Sequence, residues 1–193
     1  GPEVTRLYVN DGVGGFDERG AVHGLALAPE DASTCMYHFS VSAADIDHDD
    51  DVDLVLSTWR GEPDAGRPQH VLLNDGDGDF TDVGTSPPFA FDAPAMFTPT
   101  FGDVNGDGVR DLLFAADWST SALYFVTLAP LALSRALPVV GIGTDENGMG
   151  SDLADYDGDG DLDWFVTSIF DHDPACIGSS TGCSGNRLYE NQG

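Results

Sequence analysis

The chain has 193 residues, of which 34 are acidic and 7 basic, all of them arginine, giving a formal net charge of −27. Nucleic acids and anionic membrane surfaces both require a basic footprint, so this charge argues against either partner. No stretch approaches the roughly 20 apolar residues of a membrane helix, so we expect no membrane insertion. The acidity favours bound cations, high solubility or a saline habitat instead.

Short apolar runs bounded by turn residues predict β-strands along the chain, because these runs are too short for helices. The first strands flank the turn in RLYVNDGVGGF, which begins at Arg6, and HVLLNDGDGDF repeats the pattern from His70. Asn-Asp-Gly between extended segments is a strong hairpin signal. Residues 74–80 also alternate aspartates, but the first turn has no comparable acids. We therefore interpret residues 74–80 as a hairpin turn and not as a metal site.

Three acidic loops each join one predicted strand to the next, and they begin at Asp45, Asp103 and Asp155. A second marker recurs out of phase with them, at the end of the strand before each tight turn. It consists of Asn10, Asn74, Val126 and Asn191. Two markers that share one variable period, roughly 50 to 65 residues, define a repeat. Each unit is strand, acidic loop, strand, variable loop, strand, tight turn and strand, which is the four-stranded plan of a β-propeller blade.

The acids in these loops follow one spacing, counted from the first aspartate of each loop. Positions 1, 3, 5 and 9 carry side-chain oxygens, and position 7 offers a main-chain carbonyl oxygen. Calcium prefers about six to eight hard oxygen ligands, so the spacing predicts calcium as the cofactor, with about three ions. The predicted ligands are Asp45, Asp47, Asp49, Asp51 and Asp53 in the first loop, Asp103, Asn105, Asp107, Val109 and Asp111 in the second, and Asp155, Asp157, Asp159, Asp161 and Asp163 in the third.

Position 6 of such a loop needs a sharp turn, often with a positive φ angle, which Gly108 and Gly160 supply. The first loop has Asp50 there, a residue type that tolerates the left-handed region better than most. The alternative to a metal site is a solvated acidic turn. In that case the crowded carboxylates repel one another without compensation.

The segments DVNGDGVRDLLFAAD and DYDGDGDLDWFVTS resemble the FG-GAP/VCBS repeats of integrin-α-like propellers. FTPTFGDVNGDGVRDLL, GTDENGMGSDLADYDGDGDLDWFVTSIFD and SGNRLYENQG are similar, more narrowly, to the cartilage acidic protein (ASPIC/UnbV) group of secreted propeller proteins. The resemblance implies an all-β propeller, usually of seven blades, with calcium held between the first two strands of a blade. The chain departs from that pattern at Asp50, at Asn105 and in TLAPLAL, which stands where an Asn-Gly hairpin is expected.

On this plan the chain is one partial propeller domain. Its expected repeat units are about 6–69, 70–121 and 122–185, with a further unit beginning in 186–193. Two full blades are expected, from about Tyr37 to Pro88 and from Phe97 to Val140, with partial blades at both ends. Because a closed propeller needs at least about four blades, the open blade edges are expected to pair with the rest of the propeller or with a neighbouring subunit.

These features favour a non-catalytic, calcium-binding extracellular module for protein interaction or adhesion, whose protein or glycan partner the sequence does not identify. The loops STWRGEPDAGRPQ and SIFDHDPACIGSSTGCSGN are candidate contact surfaces, with Trp59 either a contact residue or part of the blade packing. One alternative is a structural subunit joined to others by strand complementation. Another is a propeller hydrolase or lyase, although none of the five histidines lies in a recognisable triad or zinc spacing. No G-x-S-x-G, H-E-x-x-H or phosphate-loop motif occurs either.

Cys176 and Cys183 share one Gly/Ser-rich loop, and a disulfide between them is sterically plausible, whereas Cys35 stands alone. The alternative is a pair of free thiols. A disulfide implies an oxidising compartment, so we expect a secreted, cell-surface or periplasmic protein.

Overall fold

The computed structural model describes residues 5–25, 27, 37–59, 69–84, 87–89, 91, 95–136, 141–169 and 185–193. Every regular element in these ranges is a β-strand. The strands are β1 (Tyr8–Asn10), β2 (Phe16–Glu18), β3 (Tyr37–Ala44), β4 (Asp53–Trp59), β5 (His70–Asn74), β6 (Phe80–Asp82), β7 (Met96–Gly102), β8 (Asp111–Ala116), β9 (Ala122–Leu128), β10 (Leu131–Arg135), β11 (Gly148–Ala154), β12 (Asp163–Ser168) and β13 (Arg187–Tyr189).

The strands form four separate antiparallel sheets that follow the chain order. A β1–β2 hairpin comes first, two four-stranded sheets (β3–β6 and β7–β10) follow, and β11–β13 form a three-stranded sheet. Neighbours in sequence are neighbours in each sheet, as in a meander. The predicted all-β fold of four-stranded blades, with partial blades on either side, is confirmed.

The sheets stack face to face, and β8 shows why its sequence is apolar throughout. All six residues of β8 are buried, and successive side chains of a strand point to opposite faces. Phe114 packs with Val71 of the preceding sheet, whereas Leu113 packs with Trp164 of the following sheet. A central sheet is thus covered on both faces, as blades of a propeller are.

The first strands of successive sheets lie side by side, because β7 contacts both β3 and β11. Thr98 Oγ1 donates to the carbonyl oxygen of Met149 at 2.7 Å, and the hydroxyls of Thr100 and Ser151 are 2.6 Å apart. The residue numbers of the contacting pairs increase together along the two strands, so β7 and β11 run in the same direction. Since an acidic loop leaves the end of each first strand, the loops are gathered at one end of the stack.

The β9–β10 hairpin shows how TLAPLAL replaces an Asn-Gly turn. Leu128 is paired with Leu131, so the turn consists of Ala129 and Pro130, joined by a cis peptide bond. The hairpin expected at this place is therefore present with a different turn. The described part of the chain contains no helix with the length and hydropathy of a membrane span.

Candidate metal centres

The three acidic loops share one backbone conformation. The φ angle at position 6 is 74° at Asp50, 86° at Gly108 and 103° at Gly160, as the spacing predicted. Position 4 is also left-handed in each loop. The residues there are His48 (62°), Gly106 (74°) and Gly158 (82°). The first loop therefore holds two side chains in a region that favours glycine, and the sequence predicted one of them.

Aspartate side chains hold each loop in its curled form. In the third loop Asp155 Oδ1 accepts the backbone N–H of Asp159 at 3.1 Å, and Asp159 Oδ1 accepts that of Asp161 at 3.0 Å. The first and second loops repeat both hydrogen bonds. The loop geometry is therefore fixed by the same aspartates that are predicted to bind metal.

The carboxylates at positions 1, 3 and 5 converge in two of the loops. In each of these loops, three residues offer carboxylate oxygens that all lie within 4.8 Å of one another. The two triplets are Asp45, Asp47 and Asp49, and Asp155, Asp157 and Asp159. In the second loop position 3 is Asn105, whose side-chain amide donates to Asp107 Oδ2 at 3.1 Å.

The electrostatics of these loops fit a cation. Asp47 Oδ1 is inaccessible to solvent and has no hydrogen-bond partner among the described residues. Desolvation, followed by repulsion from Asp53 and Asp49, raises the pKa of Asp47, and desolvation also raises the pKa of Asp157. A buried carboxylate oxygen without a hydrogen-bond donor is energetically costly unless it binds a proton or a metal ion. Converging carboxylates are hard-oxygen donors, and these suit calcium.

The aspartate at position 9 links its loop to the third strand of the same sheet. Asp53 is fully buried. Its Oδ2 accepts the backbone N–H of Ile46, and its Oδ1 accepts that of Asn74, both at 2.8 Å. We call this arrangement the position-9 latch. It recurs with Asp111 between Val104 and Val126 (both 3.2 Å), and with Asp163 between Tyr156 (3.0 Å) and Asn191 (2.8 Å).

The latch joins the two markers that define the repeat. Its donors at the third strand, or directly after it, are Asn74, Val126 and Asn191 of the second marker. They donate a backbone N–H, so Val126 serves as well as an asparagine. Burial raises the pKa of Asp111 to about 6. Both oxygens of each position-9 carboxylate already have a backbone partner. Metal ligation by position 9, and by the carbonyl oxygens of Asp51, Val109 and Asp161, stays a prediction.

Comparison with known families agrees with this repeated architecture. Residues 61–114 match the family model described as an FG-GAP-like repeat. This segment carries an FG-GAP-like repeat. The repeat runs from the third and fourth strands of one sheet through β7 and the complete second acidic loop into β8. A search of curated proteins found no match.

The tight turn inside the FG-GAP-like repeat matches the turn of the β1–β2 hairpin. Asp75 Oδ1 accepts the backbone N–H of Asp79 at 3.1 Å, as Asp11 Oδ1 accepts that of Gly15 at 2.8 Å. Both turns are closed by a further backbone hydrogen bond between the same positions. The interpretation of residues 74–80 as a hairpin turn is therefore confirmed.

Several sequence predictions fall outside the described residues, namely the Cys176–Cys183 disulfide, the state of Cys35, and most of both long loops. Trp59, at the start of one of these loops, is described. Its Nε1 donates at 2.7 Å to Oδ2 of Asp117, which directly follows β8, and its ring lies 6.3 Å from that of Phe97 in β7. These contacts favour the packing interpretation of Trp59.

Proposed function

We propose that this chain is a calcium-stabilised, non-catalytic β-propeller module that binds other proteins outside the cell. The observation that carries the proposal is the convergence of three carboxylates in each of two acidic loops, including the orphaned oxygen of Asp47. The FG-GAP-like repeat and the stacked four-stranded sheets support the propeller part. The likeness to secreted cartilage acidic proteins, which rests on the segments quoted above, supports the extracellular location.

The chain's own residues prepare these loops for calcium. Backbone N–H groups hold the carboxylates at positions 1 and 5, and the latch ties the end of each loop to the third strand or to the residues directly after it. Bound calcium would supply the positive charge that cancels carboxylate repulsion. A loop shaped before binding loses less conformational entropy on binding, which raises affinity.

Calcium titration of metal-free protein tests the proposal. Each site saturated at about 100 times its Kd adds about 2.7 kcal/mol to the free energy of unfolding. Calcium should therefore raise the Tm strongly, and Asp157→Ala, which removes the position-3 oxygen altogether, should remove one site from the calorimetric titration. Asp77→Ala is the matched control, because Asp77 lies in a hairpin turn of similar composition. Equal melting curves with and without calcium would reject the proposal.

The first and last sheets, β1–β2 and β11–β13, have exposed surfaces to which a partner could add β-strands. The β1–β2 hairpin is exposed at every residue, and exposed apolar side chains lie there and on β13. They include Tyr8 (55% exposed), Phe16 (64%) and Leu188 (45%). The proposed occupant of these edges is the remainder of the propeller or a neighbouring subunit, and the second case makes the protein a structural subunit.

Hydrogen exchange and light scattering separate these cases. Subunit pairing should give a mass that rises with protein concentration, together with slower amide exchange in β1 and β13. A monomer whose β1 and β13 amides are strongly protected at every concentration would contradict both forms of edge pairing.

A further inference from the structure

Two histidines that are distant in sequence meet on one face of the β3–β6 sheet. His38 in β3 is paired with Thr58 of β4, and His70 in β5 is paired with Leu56. Thr58 and Leu56 share one face of β4 because side chains alternate along a strand. The two imidazole rings therefore flank β4 on the same side, with centroids 5.3 Å apart and planes inclined by 34°.

One ring nitrogen of His70 contacts a carboxylate, and the other has no hydrogen-bond partner among the described residues. Its Nδ1 lies 2.6 Å from Asp82 Oδ2, and Asp82 Oδ1 accepts the backbone N–H of Gly84 at 3.0 Å. Because the carboxylate accepts, Nδ1 donates, and Nε2 is then the ring nitrogen that can offer a lone pair to a metal ion. The side chain is 8% exposed, and Nε2 is buried without a hydrogen-bond partner among the described residues. A buried orphan of this kind requires an explanation.

His38 provides a second imidazole beside the ring of His70. Its Nδ1 lies 3.3 Å from Thr5 Oγ1, so the contact to Thr5 leaves the other ring nitrogen for a ligand. Burial, and secondarily the neighbouring His70, lowers the pKa of His38. The ring is therefore neutral at neutral pH, and neutral imidazole is the form that binds metals.

We propose that His70 Nε2 and a ring nitrogen of His38 bind one divalent transition metal ion of the zinc or copper class. Imidazole suits these ions, whereas the acidic loops offer the hard oxygens that suit calcium. A metal-binding histidine characteristically donates its other ring N–H to a carboxylate, which is the arrangement of His70 with Asp82.

The ring separation agrees with a shared ion. With metal–nitrogen bonds of about 2.1 Å, an ion lies about 3.2 Å from each ring centre, and a tetrahedral angle then places the centres roughly 5.2 Å apart. The observed separation is 5.3 Å. The ion would sit where the sheet meets the segment that carries Thr5 and Leu25. Leu25 packs against Leu56 and Leu72 there, so the metal would join β3 to β5 on the face of the sheet that this segment covers.

Zinc titration of the calcium-saturated protein tests the site, because calcium first occupies the acidic loops. Calorimetry should show a zinc site that is lost in His70→Gln and in His38→Gln and is about 10–100-fold weaker in Asp82→Asn. The matched control is His23→Gln. His23 Nδ1 also contacts a carboxylate, that of Asp79 at 2.9 Å, and its loss should leave the site intact.

The ring nitrogens of the wild-type protein give a readout that does not depend on any variant folding. Zinc should shift the ¹⁵N resonance of His70 Nε2 and of one His38 ring nitrogen, and leave those of His23 in place. Unshifted His70 resonances at saturating zinc would overturn the proposal and assign the orphaned nitrogen to a buried water. Zinc binding that is equal in the wild type and in the His38→Gln/His70→Gln variant would overturn it as well.

Discussion

Both faces of the β7–β10 sheet pack on apolar side chains, but they differ in what is buried at the centre of the contact. Toward β3–β6 the centre is apolar, with Phe114 and Met96 fully buried and the ring of Phe91 edge-on to Phe114 at 5.4 Å. Toward β11–β13 the contact includes the fully buried carboxylate of Asp145. Asp145 accepts hydrogen bonds from Ser121 Oγ and from the hydroxyl of Tyr189, both at 2.7 Å.

The difference shows that this repeat conserves a backbone plan while the contacts between sheets vary. Apolar burial is non-directional, so its strength follows the area removed from water. A buried carboxylate stabilises the fold while its donors are in place and is costly without them. We therefore expect the first contact to tolerate changes of shape, and the second to depend on single hydroxyl groups.

The largest expected effect comes from removing apolar volume at the first contact. Phe114→Ala should lower the free energy of unfolding by about 3–5 kcal/mol, the usual cost of truncating a buried aromatic residue. Chemical denaturation with and without the substitution measures it. Phe165→Ala is the matched control, because Phe165 is 41% exposed. Similar losses in the two variants would show that Phe114 does not hold these sheets together.

A smaller and more local effect is expected at the second contact. Asp145→Ala leaves the hydroxyls of Ser121 and Tyr189 without their acceptor, at a cost of about 1–3 kcal/mol. Amide exchange should accelerate first in β11–β13, whereas β3–β6 should keep its protection. Exposed Asp152 provides the control substitution. Uniform acceleration across all sheets would contradict the local role assigned to Asp145.

The smallest effect is a pH dependence at the same contact. Burial, and secondarily the hydrogen bond and charge of Asp145, raises the pKa of Tyr189 to about 12, against an ordinary value of 10.0. As the pH rises, the Tyr189 hydroxyl therefore ionises first in the unfolded chain. The contribution of the protonated hydroxyl to the free energy of unfolding is complete below pH 10 and is lost as the pH rises toward 12.

Alkaline denaturation of the wild type and of Tyr189→Phe measures this contribution. The phenylalanine variant should show a shallower decline of the unfolding free energy between about pH 10 and 12. Ultraviolet titration should also lose one tyrosine that ionises at about pH 12. Identical declines in the two proteins would mean that Tyr189 ionises as freely in the folded state as in the unfolded chain.

The sequence predicted those features that depend on local pattern. Short apolar runs, Asn-Asp-Gly turns and the aspartate spacing were sufficient for the strands, the hairpins and the left-handed conformation at Asp50. These signals lie within a few residues of the structure that they specify. The FG-GAP-like repeat is a local signal of the same kind, and residues 61–114 match it.

The features that the sequence did not predict depend on contacts between distant segments. His38 and His70 meet because both strands pair with β4, and no spacing rule connects them. Asp145 gave no signal, since its donors come from a turn in one sheet and a strand in another. The position-9 latch was predicted only in part. The acid and the third-strand marker were both recognised, but their hydrogen bond requires the folded sheet.

The position-9 latch also bears on how such a chain can lengthen during evolution. The connections from the second to the third strand span residues 60–69, 117–121 and 169–186, and so differ widely in length. In each unit the third strand, or the segment directly after it, donates a backbone N–H to a buried aspartate at the start of the second strand, whatever the length of the connection. Insertions can therefore accumulate in these connections without shifting strand register, and new binding loops can arise on an unchanged frame.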